Sequence, residues 1–441
     1  MTKTISYPKY PAYKDSGVEW LGEVPAHWRV TSNKYVFELK KDLVGKESDK
    51  YELLSLTLKG IIKRDMENPE GKFPSDFDTY QKVEKGDFIF CLFDVEETPR
   101  TVGLSPFDGM ITGAYTIMQS SRNEDSRYLY YLFFNLDSGK RLKFLYKGLR
   151  NTIPKEKFFS LKIPLPPKPE QTAIAHFLDD KTTKIDRAIA QKERLIELLQ
   201  ERKQIIIQEA VTGKTVWSEK EQAFVPLSES GIEVKESGVE WIGEVPAHWE
   251  VVRSKYLFNQ RKERALKKDI QLSATQAYGV IPQDEYEKKV GRRVVKIQFH
   301  LEKRKHVEAD DFVISMRSFQ GGLERAWSSG CIRSSYVVLK PAVRIDPTFY
   351  SYLFKAPRYI RALQATANFI RDGQDLNYDN FSKVDLFTLP VDEQKLIAKF
   401  IKSQHTRIYQ AITLQQSQIE KLREYKATLI DSAVRGKIKV S

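Results

Sequence analysis

Residues 14–30 read KDSGVEWLGEVPAHWRV, and residues 235–251 read KESGVEWIGEVPAHWEV. Fourteen of these 17 positions are identical, and two of the three changes are conservative. The offset of 221 residues is about half of the 441-residue chain. That is far beyond the roughly 20–50-residue period of a solenoid, so the repeat marks a duplicated module. Weaker anchors continue in the same order. Lys34-Tyr35-Val36-Phe37 answers Lys255-Tyr256-Leu257-Phe258, and residues 83–89 answer residues 307–313. Gly109-Met110-Ile111 with Tyr115 answers Gly330-Cys331-Ile332 with Tyr336. Pro167 with Glu170-Gln171 answers Pro390 with Glu393-Gln394, and Ala210-Val211 with Gly213-Lys214 answers Ala433-Val434 with Gly436-Lys437. Residues 38–82 and 259–306 diverge between these anchors. Two copies therefore share a scaffold and differ in the segments laid on it.

Each half has two parts. The first mixes short β-rich runs, such as Gly86–Phe90 and Tyr336–Leu339, with turn signals. Ser126–Phe134 and Thr348–Phe354 carry aromatic and Leu positions at helical spacing. The second part is a long helix after a proline-rich stop at Pro164, Pro166, Pro167 and Pro169, opening at Glu170-Gln171. Ile185, Ile189, Ile196, Leu199 and Ile206 recur at alternating steps that fit a heptad seam, and Ile408, Ile412, Ile419, Leu422 and Leu429 do so in the second copy. Lys192 and Gln415, and Lys203 and Lys426, interrupt both seams at matching positions. Gly213 and Gly436 supply the helix stops.

This organisation predicts two α/β (α+β) globular domains joined by two long helices in an antiparallel coiled coil, with pseudo-two-fold symmetry. The expected boundaries are 1–168 and 235–391 for the domains, 169–213 and 392–436 for the helices, and 214–234 for a linker. Helices of about 40 residues span roughly 60 Å.

Composition narrows the function. Apolar residues at 41% and charged residues at 30% exclude a wholly disordered chain. A net charge of +13 fits a polyanionic partner. Two cysteines, Cys91 and Cys331, cannot build a disulfide scaffold or a four-thiolate zinc site. No apolar run approaches the roughly 18 residues of a membrane span, and the opening residues lack a secretory apolar region. The expectation is a reduced, cytoplasmic protein with no membrane partner.

The order of these motifs resembles the specificity subunits of type I restriction–modification systems. The resemblance rests on the duplicated S-G-V-E-W-[LI]-G-E-V-P-A-H-W openings, the helix starts P-L-P-P-K-P-E-Q and L-P-V-D-E-Q, and the helix ends A-V-T-G-K and A-V-R-G-K. The stretch Met316–Gly322 and Tyr336 add to it. It implies two target-recognition domains, each reading one half of a split site in double-stranded DNA, with the helices as a ruler. It also implies two methyltransferase subunits as partners, and restriction subunits in the full complex. Catalysis, with its S-adenosylmethionine, ATP and Mg, would lie in those partners, and this chain would bind no cofactor. One departure stands out. After Phe90 the first copy reads Cys91-Leu92-Phe93-Asp94-Val95-Glu96-Glu97, without the Arg and Gly-Gly of the second, so a DNA role for Arg317 does not transfer.

The residues themselves offer no competing chemistry. Val211-Thr212-Gly213-Lys214-Thr215 imitates the end of a phosphate loop, but Gln208 stands where the first glycine belongs and the helix precedes the motif. His27 and His248 would need a common helix face with other ligands to hold a metal, and Gly22, Pro25 and their counterparts break such a helix. The alternatives are a coiled-coil assembly protein without DNA readout and a stand-alone DNA-modifying enzyme. Residues 251–305 hold 15 Lys and Arg against six Asp and Glu, a balance suited to phosphate contacts, while divergent loops supply base contacts. The candidates for DNA contact are Lys59, Lys63, Arg64 and Arg150 in the first half, and Gln276, Tyr278, Arg317, Gln320 and Arg371 in the second. Trp20, Trp28, Trp241 and Trp249 are candidates for packing on their own scaffold or for docking an identical partner.

Overall fold

A computed structural model of the chain describes residues 7–65, 77–295, 297, 299–315, 318–366 and 377–440. The chain divides into two units: Met1–Lys192 with Gln416–Ser441, and Glu193–Gln415. The division falls inside both long helices, Lys168–Val211 and Val391–Val434, so each unit holds the start of one and the end of the other.

The second unit repeats the sheets of the first and adds one hairpin, Thr215–Ser218 with Ala223–Pro226. Unit 1 has a four-stranded antiparallel sheet in the order Phe37–Lys40, Thr116–Ser120, Phe88–Phe90, Val102–Leu104. Unit 2 has the order Phe258–Arg261, Val337–Pro341, Phe312–Ile314, Glu324–Arg325. Alternation places Phe37, Phe88 and Phe90 on the face that meets Phe133 and Phe158 from two helices, with Phe37 edge-on to Phe88 at 5.1 Å. The matching cluster is Phe258, Phe312, Phe354 and Phe381, with the first pair at 5.6 Å. An ion cluster around one buried aspartate repeats as well. Lys40 Nζ meets Asp87 at 2.8 Å and Glu84 at 2.9 Å, while Arg261 meets Asp311 at 2.6 Å and Glu308 at 2.5 Å.

Three local readings differ from expectation. Pro164 lies within the strand Lys162–Leu165, paired only to Arg29–Ser32, an edge position that needs no N–H from proline. Pro169 sits in the first helical turn, where its missing N–H costs nothing, so the helix starts at Lys168 and the prolines do not all precede it. The segment 214–234, read as a linker, holds the hairpin Thr215–Ser218/Ala223–Pro226, with Val216 and Leu227 buried.

Along the long helices, the apolar seam positions are buried or half-buried. In unit 1 the two helix segments run antiparallel: Lys192 Nζ donates to Gln418 at 2.5 Å, and Lys426 Nζ donates to both Asp186 oxygens at 2.7 Å. The matching seam lysine of unit 2, Lys203, meets no such carboxylate among the described residues; burial lowers its pKa, and it faces His405. The two interruptions are therefore unequal. Lys203→Leu is expected to raise the melting temperature of unit 2 by about 2–4 °C, roughly 1 kcal/mol for a unit of this size. Lys426→Leu is expected to give no gain, because it strands Asp186. Calorimetry of both single variants checks this, and equal responses would contradict it.

Candidate nucleic-acid interface

Each unit projects one short hairpin built on the same turn chemistry. In unit 1, Leu54–Thr57 pairs with Gly60–Lys63 around Leu58-Lys59. In unit 2, Leu272–Thr275 pairs with Gly279–Pro282 around Gln276-Ala277-Tyr278. Thr57 Oγ1 donates to Gly60 O at 3.0 Å and Thr275 Oγ1 donates to Gly279 O at 3.1 Å. The same hydroxyls accept from Lys59 N and Tyr278 N. The scaffold of the turn is thus kept while its tip residues change.

Lys59 and Lys63 are exposed on the first hairpin, and Lys63 lies 3.7 Å from Glu52. Arg64 follows it, half-buried, its N–H donated to Leu53 O. Gln276 and Tyr278 form the second tip. A Cβ on Gly321 would collide with the Gln276 amide, so this tip rests on the short helix Ser318–Gly321 that carries the exposed Gln320. Three of the second-half candidates are therefore neighbours. Arg317 and Arg371 lie outside the described residues. Arg150 is exposed in a separate turn, where its carbonyl accepts from Asp94 N at 2.8 Å. The individual candidates missed a group that the charge count contains: Lys289 sits over the Tyr278 ring at 5.3 Å, on the helix Gln283–Val290 with exposed Lys288, and Arg292 and Arg293 follow. Their signal was the basic balance of residues 251–305, which marks a region and no single side chain.

The tryptophan segments have a different role. Trp28 is fully buried and donates to Glu170 Oε1 at 3.1 Å, with His27 Nε2 at 2.8 Å from the other oxygen. Trp249 is fully buried and donates to Glu393 at 3.0 Å, with His248 likewise at 2.8 Å. Glu170 and Glu393 stand in the first turns of the long helices, where the dipole favours a carboxylate. The same indoles abut the other helix's end. A Cβ on Gly436 would lie 3.0 Å from Trp28, and one on Gly213 would lie 3.1 Å from Trp249, both at positive φ. Each segment therefore clamps the start of one long helix to the end of the other within its own unit. The docking expectation for Trp28 and Trp249 is corrected: neither indole offers surface. Trp20 and Trp241 are half-buried, and Trp241 packs on Tyr359 and Phe387.

At the clamp of unit 1, Asp431 is held by Arg141 at 2.5 Å and Lys437 at 2.6 Å. Burial pushes its carboxyl pKa up, but Lys437 and Arg141 outweigh burial and hold it at about 2. Because the folded pKa lies below the unfolded one, the stabilisation is present above about pH 4 and is lost as pH falls through about 2. Asp431→Asn should cost about 2 kcal/mol at neutral pH and progressively less toward pH 2. Urea melts at the two ends of that range check it. A loss independent of pH would contradict it.

Among the described residues, no group of three or more His, Cys, Asp or Glu is placed to hold a metal ion. No helix among them is long and apolar enough to cross a membrane.

Comparison with known proteins gives a consistent picture. Residues 102–199 match the family model of the type I restriction modification DNA specificity domain. The chain is 25% identical over 457 aligned residues to a protein of Methanocaldococcus jannaschii named as the MjaX specificity subunit of a type I restriction enzyme, covering 95% of this chain and 96% of that one. Its fold is similar to the crystal structure of the HsdS subunit from Thermoanaerobacter tengcongensis, with a TM-score of 0.53 at 14% identity over 94% of this chain and 98% of that one. It is also similar to a chain from a structural study of complex assembly in the type I system, with a TM-score of 0.60 at 14% identity over 94% and 99%.

Proposed function

We propose, with the chain's place among the type I restriction–modification specificity subunits as premise, that each unit reads one half of a bipartite DNA site. The observation that carries this is the duplicated scaffold with unlike tips: the same turn hydrogen bonds present Lys59 in one unit and Gln276 with Tyr278 in the other. Unlike readers on like frames suit a site whose halves differ. Lysines supply phosphate contacts that position the protein, and an amide such as that of Gln276 can bond bidentately to an adenine edge.

The long helices act in this reading as an antiparallel coiled coil that sets the unread gap. They also offer a docking face to two methyltransferase subunits, with restriction subunits joining the full complex. Specificity subunits are in general non-catalytic. Methyl transfer and cleavage, and the S-adenosylmethionine, ATP and Mg they use, belong here to the partners.

Gel shifts across a salt series test the DNA role. Lys59→Ala with Lys63→Ala should weaken binding to all sequences and reduce the slope of log affinity against log salt by about 2, one for each phosphate left without its lysine. An unchanged slope would place the first hairpin away from DNA.

A further inference from the structure

Unit 2 carries a braced aromatic ring that unit 1 lacks. Trp327 is 55% exposed, beside the tip of the second hairpin. Its backbone N–H donates to Val280 O at 3.0 Å, and a Cβ on Gly279 would meet the indole at 2.7 Å. The ring therefore adjoins the residue after Tyr278, whose own ring lies under Lys289. The Arg325 guanidinium sits over the Trp327 ring, 4.4 Å from its centroid. All three nitrogens of that guanidinium are engaged. Nε and Nη2 donate to Asp310 Oδ1 at 2.8 and 2.5 Å, and Nη1 donates to Thr348 Oγ1 at 2.9 Å. Arg325 is thus committed to holding the indole in place.

The register between the units shows that the members of this brace come and go together. Phe312 pairs with Arg325 as Phe88 pairs with Leu104. Asp310 N donates to Ala326 O as Gly86 N donates to Ser105 O. Unit 1 therefore has Gly86, Leu104 and Pro106 where unit 2 has Asp310, Arg325 and Trp327. Gly86 takes its positive φ of 97° without penalty, whereas Asp310 holds 73° against its own side chain. The sheet needs none of the three, because unit 1 makes the same pairing without them. A strained aspartate and a committed arginine that orient an exposed ring point to a ligand.

We propose that Trp327 is a specificity-determining residue of unit 2 and takes the 5-methyl group of a thymine in the half-site that this unit reads. The proposal rests on the DNA-reading role above. The surroundings fit DNA, since Lys288, Lys289, Arg292 and Arg293 flank the same hairpin. The methyl follows from the chemistry of the ring. An indole has one N–H and no acceptor, so it cannot match the donor and acceptor pairs of a base edge. The apolar group on those edges in the major groove is the thymine methyl. Arg325 and Asp310 are positioning residues that keep the ring from turning away.

The test uses the full chain with its methyltransferase partner on duplexes carrying the recognised site. Each thymine of the unit 2 half-site is replaced in turn by uracil, which removes the methyl and leaves the hydrogen-bonding edge unchanged. At one position the wild type should bind about fourfold more weakly, the worth of one buried methyl. Trp327→Ala should bind the thymine duplex about four- to tenfold more weakly and show no uracil response there. Asp310→Gly with Arg325→Leu, which installs the residues of unit 1, should lose most of that response while Trp327 is still present. A wild type without a uracil response, a half-site without thymine, or a full response kept by either variant overturns the proposal. A wild type that binds all DNA sequences alike sinks the DNA-reading role itself, an outcome distinct from these.

Discussion

Trp249→Ala is expected to lower the melting temperature of unit 2 on the order of 10 °C, and Trp28→Ala to do the same for unit 1. Both indoles are fully buried, and truncation of a buried Trp costs about 3–5 kcal/mol through lost burial and the cavity left behind. The effect extends beyond packing. Each indole N–H satisfies a first-turn Glu, and each ring abuts a helix-stop glycine that has no room for a Cβ. Removal therefore loosens two helix ends together. Calorimetry of the isolated chain reads this directly. Unchanged stability, with only partner binding weakened, would return the segment to the docking role from which its burial removes it.

The frame was legible in the sequence because duplication is a comparison the chain makes with itself. Paired anchors such as Val83–Ile89 and Val307–Val313 lie at equivalent places, ending in the buried strands at Phe88 and Phe312. The seam was legible from its period alone. The purpose of the tryptophan segment was less so. Its near identity shows that both copies meet the same neighbour, but periodicity cannot say whether that neighbour is an internal helix end or a separate chain. Glu170 and Glu393 are 142 and 144 residues from the indoles they accept from, and no local pattern links positions so far apart. The prolines misled for a local reason: a first-turn or edge-strand proline breaks nothing. The DNA-contact candidates stayed the least legible. Lys59 is exposed at a turn whose hydrogen bonds are made by the backbone and Thr57, so no pattern of burial or periodicity singles out its side chain.

Inserting four residues, about one helical turn, near Gln200 is expected to cut methylation at the native gap at least about tenfold, while both half-sites keep their bases. Each long helix has 44 residues and a length of about 66 Å, an upper limit near 19 base pairs at about 3.4 Å each. Half-sites read from one face of the duplex favour centres about 34–36 Å apart, which one added turn would disturb. Bases that changed with the insertion would mean that the helix takes part in reading them.

The central claim, two independent readers on one frame, is tested most directly by sequencing methylated sites in cells that carry this chain and its methyltransferase partner. Residues 259–385 are exchanged for those of a related specificity subunit, and residues 38–160 are left as they are. The account predicts that one half-site changes, and that the other half-site and the gap persist. A change in both halves together, or in neither, would contradict it.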